Sequence, residues 1–333
     1  MATLPPFLLS GFADEASATK LIGEELAAMA AIGLRRCSLR FVDLGDGVKN
    51  AMALTKKEVK QVRQRLDDFG LEVATLGSPI GKVKLLDVED GTSNQYIPFP
   101  KYLKQDVAKA CDIAAGVGTK LVRGFSYYHP KGTEPGDHLA QVVDQLGQIT
   151  EACAAADLVF GLEVEANLVG QTGQLLQQIH KQVNHPAMVL IYDAGNLLAQ
   201  GYSPDESFAE YEAMKAGLGW IHVKDYRPMK SAARGGHIDE DALKDFCPVS
   251  RGSGVYERVL RDLAETAGGP MLKRMKKIGL PGVLLDLEPH VRGGGQFGGY
   301  SGADGMGIAL RSLCDLIDYL GLSHDLKTAD DLL

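Results

Sequence analysis

Short apolar runs alternate with longer amphipathic stretches along almost the whole chain. The runs have the length of strands. They are rich in Val, Leu and Ile without a polar alternation, which is how strands buried on both faces of a parallel sheet read. Eight are recognisable. Four cover residues 7–12, 36–41, 71–76 and 120–125; four more start near 158, 189, 220 and 283 and end at Glu163, Asp193, His222 and Glu288. Between them, apolar residues recur at helical spacing, as in Leu21, Ile22, Leu26, Met29 and Ile32 before Gly33. Thr55 with Glu58 three residues on is a capping box, and Gly70 closes the helix it opens. Further helices are predicted over about 101–116 and 139–155, through Leu175, Leu176 and Ile179, through Val259, Leu260 and Leu263, and up to Leu320.

Strict alternation of strand and helix argues a parallel sheet, and eight units in one domain argue a closed (β/α)8 TIM barrel. The barrel is expected over residues 1–321, with an insertion at 228–248 between strands seven and eight and a Gly-rich loop at 293–302 after strand eight. The polar segment 322–333 is expected to be a loosely held tail. An open doubly wound sheet would place a phosphate-binding glycine turn after the first strand, and Phe12-Ala-Asp-Glu15 is not one.

Composition narrows the partners. The chain of 333 residues is 45% hydrophobic and 23% charged, with a net charge of −8. That acidity disfavours nucleic acid and anionic membranes, which call for a basic face. The basic run at 273–277 reads as a solvated helix face. Cys37, Cys111, Cys153, Cys247 and Cys314 are widely spaced and form no CxxC pair, as expected of buried free thiols in a reducing cytoplasm. Neither a signal peptide nor an apolar run of about 20 residues is present, so no membrane span is expected. Monomer and homo-oligomer are both compatible with this reading.

The candidate chemistry lies at the ends of strands five to eight. In parallel sheets, ligands bind beyond the carboxyl ends of the strands. A carboxylate buried there is costly unless paired or bound to a metal. A lone strand-end Asp is commonly a helix N-cap. Four such groups at one mouth are different, because each acid raises the pKa of the others. Glu163, Asp193, His222 and Glu288 therefore read as ligands of one divalent ion. Three carboxylates and one imidazole favour Mn²⁺, Mg²⁺ or Co²⁺ ahead of Zn²⁺. Such an ion chelates neighbouring oxygens of a sugar and eases removal of the proton beside a carbonyl, and a carboxylate against the substrate face takes that proton. Glu165 shares the strand parity of Glu163 and is expected to face inward too. Lys82 and Arg123 lie near mouth-side ends, where they would bind an anionic or hydroxyl-rich substrate. Lys224 reads either as a substrate cation or acid/base, or as a structural partner of Asp225. His129, His237 and His290 are loop candidates of lower rank.

The set Gly-Leu-Glu163, Tyr-Asp193, Ile-His222-Val-Lys-Asp225, Arg-Gly-Ser-Gly254 and Leu-Asp-Leu-Glu288 resembles the xylose isomerase-like barrel superfamily, the sugar phosphate isomerase/epimerase group. Phe12-Ala-Asp-Glu15, Arg40 and Gly77-Ser-Pro-Ile-Gly-Lys82 extend the likeness, which runs from about 7 to 320. The resemblance implies that Glu163, Asp193, His222 and Glu288 hold the catalytic metal and that Glu163 and Glu288 exchange protons with the substrate. It places Glu15, Arg40, Asn196, Asp225, Arg227 and His290 on the substrate side with Lys82, Arg123 and Glu165. Arg227 matches only loosely an arginine found after the metal His. Asn196 stands where many members have His, and an amide carries no proton near neutral pH.

The expected activity is that of a divalent-metal-dependent sugar or sugar-phosphate isomerase or epimerase. The alternative is a metal-dependent lyase or hydratase that eliminates a β-substituent from keto-sugars or 3-keto-glycosides, which Asn196 favours because ring opening is not required. A DNA-repair endonuclease would need more His ligands and a basic groove, and a non-catalytic sugar sensor is the remaining class. The Gly-rich loop is open to three readings: a phosphate site built from backbone N–H groups, a lid with Phe297 and Tyr300 against a sugar, or a plain connector.

Overall fold

A computed structural model describes residues 4–227, 238–240 and 243–331. Eight parallel strands follow one another in chain order around a barrel: β1 (Leu8–Gly11), β2 (Arg36–Leu39), β3 (Glu72–Ile80), β4 (Leu121–Gly124), β5 (Val159–Glu163), β6 (Met188–Asp193), β7 (Leu218–Val223) and β8 (Leu284–Leu287). β8 pairs with β1, and a parallel bridge between Phe12 and Ser38 joins β1 to β2. Every residue of β5, β6, β7 and β8 is buried, which accounts for their unbroken apolar sequences.

Helices wrap the outside. Ile22–Ala31, Lys56–Phe69, Ala108–Val117, Leu139–Ala155, Gly173–Val183, Pro204–Met214, Val255–Glu265 and Gly302–Tyr319 are the principal ones. The Thr55–Glu58 capping box forms, and Gly70 ends its helix in the left-handed conformation. The basic run lies on Gly269–Lys277, whose Met271, Leu272 and Met275 are buried while Lys273, Lys276 and Lys277 are exposed.

Three local features depart from the sequence reading. β3 extends to Ile80, so most of the stretch read as its tip belongs to the strand itself. The polar stretch after β2 folds into a hairpin of Phe41–Asp43 and Val48–Asn50. The tail is not loose. Phe7 and Ser323, Asp325 and Phe7, and Lys327 and Gly33 are joined by backbone hydrogen bonds, and the Asp325 carboxylate takes the Leu9 N–H and the Arg36 guanidinium. Those bonds satisfy strand-end groups at the barrel floor that water would otherwise serve.

Much of the expected insertion, with His237, lies outside the described residues. Of its described part, Phe246–Cys247 pairs antiparallel with Asp225–Tyr226. All five cysteines are free and buried. No helix among the described residues is long and apolar enough to cross a membrane.

Candidate active site

Register explains how four distant side chains meet. Asp193 on β6 is the pairing partner of His222 on β7, and His222 is that of Asp286 on β8. Inward positions recur every second residue, so Glu288 sits one step above Asp286 on the same face. Glu163 closes β5 beside β6. Ligand-capable atoms of Glu163, Asp193, His222 and Glu288 all lie within 4.8 Å of one another, and all four residues are buried.

This arrangement fits a divalent ion on its own geometry. His222 Nδ1 lies 3.1 Å from Glu163 Oε1 and 3.9 Å from Glu288 Oε2. His222 Nδ1, Glu163 Oε2 and Asp193 Oδ2 are buried and make no well-aligned hydrogen bond, although Arg123 and Lys224 stand near the two carboxylates. Such a converging set of buried donor atoms could hold a metal ion. Three carboxylates and one imidazole suit a hard or borderline ion.

Cations close the other side of the mouth. Arg40 Nη1 is 2.5 Å and Arg123 Nη1 3.2 Å from Glu288 Oε1, and Arg123 Nη1 also lies 3.4 Å from Glu163 Oε2. Lys224 Nζ bridges Asp193 Oδ2 at 3.1 Å and Glu288 Oε2 at 3.0 Å. Burial alone would raise the pKa of Glu163, but His222 and Arg123 outweigh it and hold the group at about 2. Glu288 is likewise held well below the carboxylate range, against burial, by Lys224, His290, Arg40 and Arg123. Asp193 goes the other way. Burial, with Glu163 and Glu288 adding to it, pushes it up to about 8 despite Lys224.

The sequence-predicted residues sort into three groups. Arg40, Lys82, Arg123, Glu163, Glu165, Asn196, Lys224, Glu288 and His290 line one cavity. Within it, Lys82 pairs with Glu165 at 2.9 Å, and Asn196 Nδ2 donates to Glu163 Oε1 at 3.2 Å and to the Val164 carbonyl at 3.0 Å. The amide in place of histidine thus orients a ligand carboxylate.

Glu15 lies behind the cavity wall. It accepts from the His290 N–H at 2.9 Å and the Ser301 hydroxyl at 2.8 Å, and its other oxygen is 2.6 Å from His290 Nδ1. It therefore positions His290 instead of lining the cavity.

Two expectations are corrected. Asp225 faces away from the mouth: its carboxylate accepts from Tyr226 N, Ser253 N and Ser253 Oγ, fixing the turn before the helix Val255–Glu265. Inward positions on β7 alternate through His222 to Lys224, which pairs with Asp193 and Glu288, so Asp225 falls on the opposite side. Arg227 is exposed and does not line the cavity, its chain having joined the antiparallel ribbon beside Asp245. His129 also stays outside the cavity, its Nδ1 next to Pro130 O and Thr133 Oγ1.

Several site residues escaped the sequence reading. Phe12 lies under both guanidinium groups, 4.6 Å from Arg40 and 4.9 Å from Arg123, and packs edge-on against His222. Asp14 anchors Arg40 at 3.0 Å. Glu240, from the insertion, reaches Lys82 at 2.9 Å. Phe12 and Asp14 lie in the Phe12-Ala-Asp-Glu15 stretch that ends the first strand, and that stretch gave the signal for both.

The Gly-rich loop roofs the cavity, and two of its glycines leave little room for a side chain. A Cβ on Gly298 would fall 2.4 Å from Arg40 Cζ, and one on Gly299 2.1 Å from His290 Nδ1. Of the three readings of this loop, the cover fits its position, but only in part as expected: Phe297 lines the cavity with Gln296, whereas Tyr300 does not.

Fold and site together define a TIM-barrel protein with a buried cluster that could hold a metal ion at the carboxyl ends of its strands. The family model of the xylose isomerase-like TIM barrel matches residues 26–314, and the chain belongs to that family. Among solved structures, it is similar to the probable 3-DHS dehydratase AsbF from Bacillus anthracis: 14% identity over 93% of this chain and 99% of that one, TM-score 0.62. A xylose isomerase-like TIM barrel protein from Mycobacterium smegmatis in complex with magnesium is 16% identical over 95% and 96%, TM-score 0.58. D-psicose 3-epimerase with D-tagatose from Clostridium cellulolyticum H10 is 14% identical over 94% and 98%, TM-score 0.56. The chain spans 45% of the length of a xylose isomerase-like TIM barrel/4-hydroxyphenylpyruvate dioxygenase fusion protein. At these identities the likeness shows the fold alone. No curated protein matches the chain.

Proposed function

We propose that the chain is a divalent-metal-dependent enzyme that moves a proton on the carbon beside a carbonyl of a small carbohydrate, as an isomerase or epimerase. The observation that carries this reading is the pairing of Glu163 and Glu288. Both are metal-ligand candidates, both are held ionised, and one Arg123 nitrogen stands between them, 3.4 Å and 3.2 Å away.

The residues divide the work. Glu163, Asp193, His222 and Glu288 would hold the ion; Mn²⁺, Mg²⁺ and Co²⁺ suit the donor set best. When bound, the ion supplies Lewis acidity at the substrate carbonyl. One of the two glutamates takes the proton from the C–H bond, the electron pair moves toward the carbonyl oxygen, and a proton returned to a neighbouring position or to the opposite face completes isomerisation or epimerisation. Lys224, held charged by Asp193 and Glu288 against burial, stabilises the negative charge that develops. Lys82, Arg123, Asn196 and His290 orient hydroxyl or anionic groups, and the Gly-rich loop excludes water. A D-psicose 3-epimerase among the structural relatives is in keeping with this chemistry.

Asn196 favours a second reading. With no imidazole at that position to open a sugar ring, the same base would expel a β-substituent from a keto-sugar, and a probable dehydratase is among the relatives. Incubating ion-loaded protein with ketoses and 3-keto-glycosides in D₂O separates the two. Deuterium retained in an isomeric sugar supports the isomerase, and loss of water or an aglycone supports the lyase. Turnover unaffected by Glu288→Gln would refute both.

A further inference from the structure

The cavity has two polar ends. One is the cluster of Glu163, Asp193, His222 and Glu288; the other gathers around Lys82, just past β3. The Phe125 ring lies between them, 5.1 Å from Lys82 Nζ and 5.0 Å from the Arg123 guanidinium. Lys82 is buried and held by two carboxylates at once, Glu165 Oε2 at 2.9 Å and Glu240 Oε2 at 2.9 Å. The barrel fixes Glu240 in that place. Asn167 Nδ2 and the Tyr128 hydroxyl each donate to its Oε1 at 3.2 Å, and the Asn167 amide also clasps the backbone N–H and carbonyl of Ile238. Gln296 of the Gly-rich loop joins the network by donating to the Tyr128 oxygen at 3.1 Å.

Among the described residues, every Lys and Arg that lines the cavity is already shared by carboxylates. Arg40 serves Asp14 and Glu288, Arg123 serves Glu163 and Glu288, Lys224 serves Asp193 and Glu288, and Lys82 serves Glu165 and Glu240. The roof offers no substitute. The N–H groups of Gly293, Gly294, Gly298 and Tyr300 are spent on carbonyls, and Arg292 is taken by Asp304. Asp304 also puts an acid in the first turn of the helix Gly302–Tyr319, where a phosphate would draw on the helix N-terminus. A sugar hydroxyl both donates and accepts, so it can give its hydrogen to Glu165 or Glu240 and take one from Lys82. A phosphate ester is dianionic at about pH 8 and has no hydrogen to give. It would face two carboxylates whose cation is already theirs.

We propose that the substrate is an uncharged, hydroxyl-rich carbonyl compound and not its phosphate ester, and that Glu240 is the residue that sets this choice. This rests on the carbohydrate reading given above and narrows it to neutral sugars. The end at Glu163 and Glu288 takes the carbonyl, and Lys82 with its two carboxylates takes hydroxyl groups at the far end. Rejection of phosphate comes from charge already balanced within the protein, so removing one carboxylate relaxes it.

The test uses the full-length protein loaded with Mg²⁺, titrated by calorimetry at about pH 8 with ketopentoses and ketohexoses, each beside its terminal phosphate ester. The sugar that binds best is expected to bind about tenfold or more tightly than its ester. Glu240→Gln is expected to narrow that gap about tenfold, the ester gaining affinity as one opposing charge goes. A carboxylate that only held the fold together would weaken both ligands in proportion. The wild-type comparison decides even where the variant fails to fold. A gap unchanged in the variant removes Glu240 from the choice. An ester bound as tightly as its sugar overturns this inference alone and leaves the enzyme reading standing. Binding of neither set overturns it together with the carbohydrate reading.

Discussion

The mouth of the barrel has two halves of opposite character. β5 to β8 end in Glu163, Asp193, His222 and Glu288, whereas β2 to β4 end in or are followed by Arg40, Lys82 and Arg123. Each half would be costly to bury alone, and each is the counter-charge of the other. The halves also divide the acids among themselves. Glu163 and Glu288 face the arginines and are held ionised, while Asp193, with Lys224 and His222 from its own half, is pushed up by burial to about 8. Which carboxylates are ready bases is thus decided across the barrel and not along any one strand.

The comparison can be broken at several points. Glu288→Gln removes the anion on which Arg40, Arg123 and Lys224 converge; turnover is expected to fall about 10³-fold or more, measured as kcat on ion-loaded protein. Arg40→Met leaves Asp14 and Glu288 buried without their guanidinium, and urea unfolding is expected to show a loss of about 3–5 kcal/mol. Arg123→Gln removes the cation shared by both glutamates. The pKa of Glu163 then rises, so the acid limb of the rate profile is expected to move to higher pH. An unmoved acid limb would detach Arg123 from the proton-transfer pair.

The weakly paired Asp193 sharpens the contrast. A proton on its carboxyl must leave before the oxygen can hold an ion, and it leaves only as the pH rises through about 8. Ion affinity, read by calorimetry, is therefore expected to drop about tenfold for each pH unit below that point and to level off above it. Affinity independent of pH between 6 and 8 would show that Asp193 is ionised in the ion-free protein. The smallest effect belongs to Asp225→Asn, outside the cavity. It is expected to cost about 1 kcal/mol of stability, through the bonds to Ser253 and Tyr226, with kcat unchanged.

Sequence alone was enough for the eight apolar runs, their helical partners and the four groups at the ends of strands five to eight. Both follow from local rules: a strand buried on both faces must be apolar throughout, and an acid that ends such a run sits at a mouth. Those rules stop where the strand stops. Asp225, two residues past β7, turned outward to cap a turn, and Arg227 followed it into a ribbon. Glu15 became a support for His290, and the polar tail found strand-end N–H groups to bind. The partners of Arg40 and Arg123 and the reach of Glu240 to Lys82 depend on which segments face each other across the closed barrel. Only tertiary structure decides that, because hydrogen bonding and charge pairing act through space, even between residues 316 positions apart.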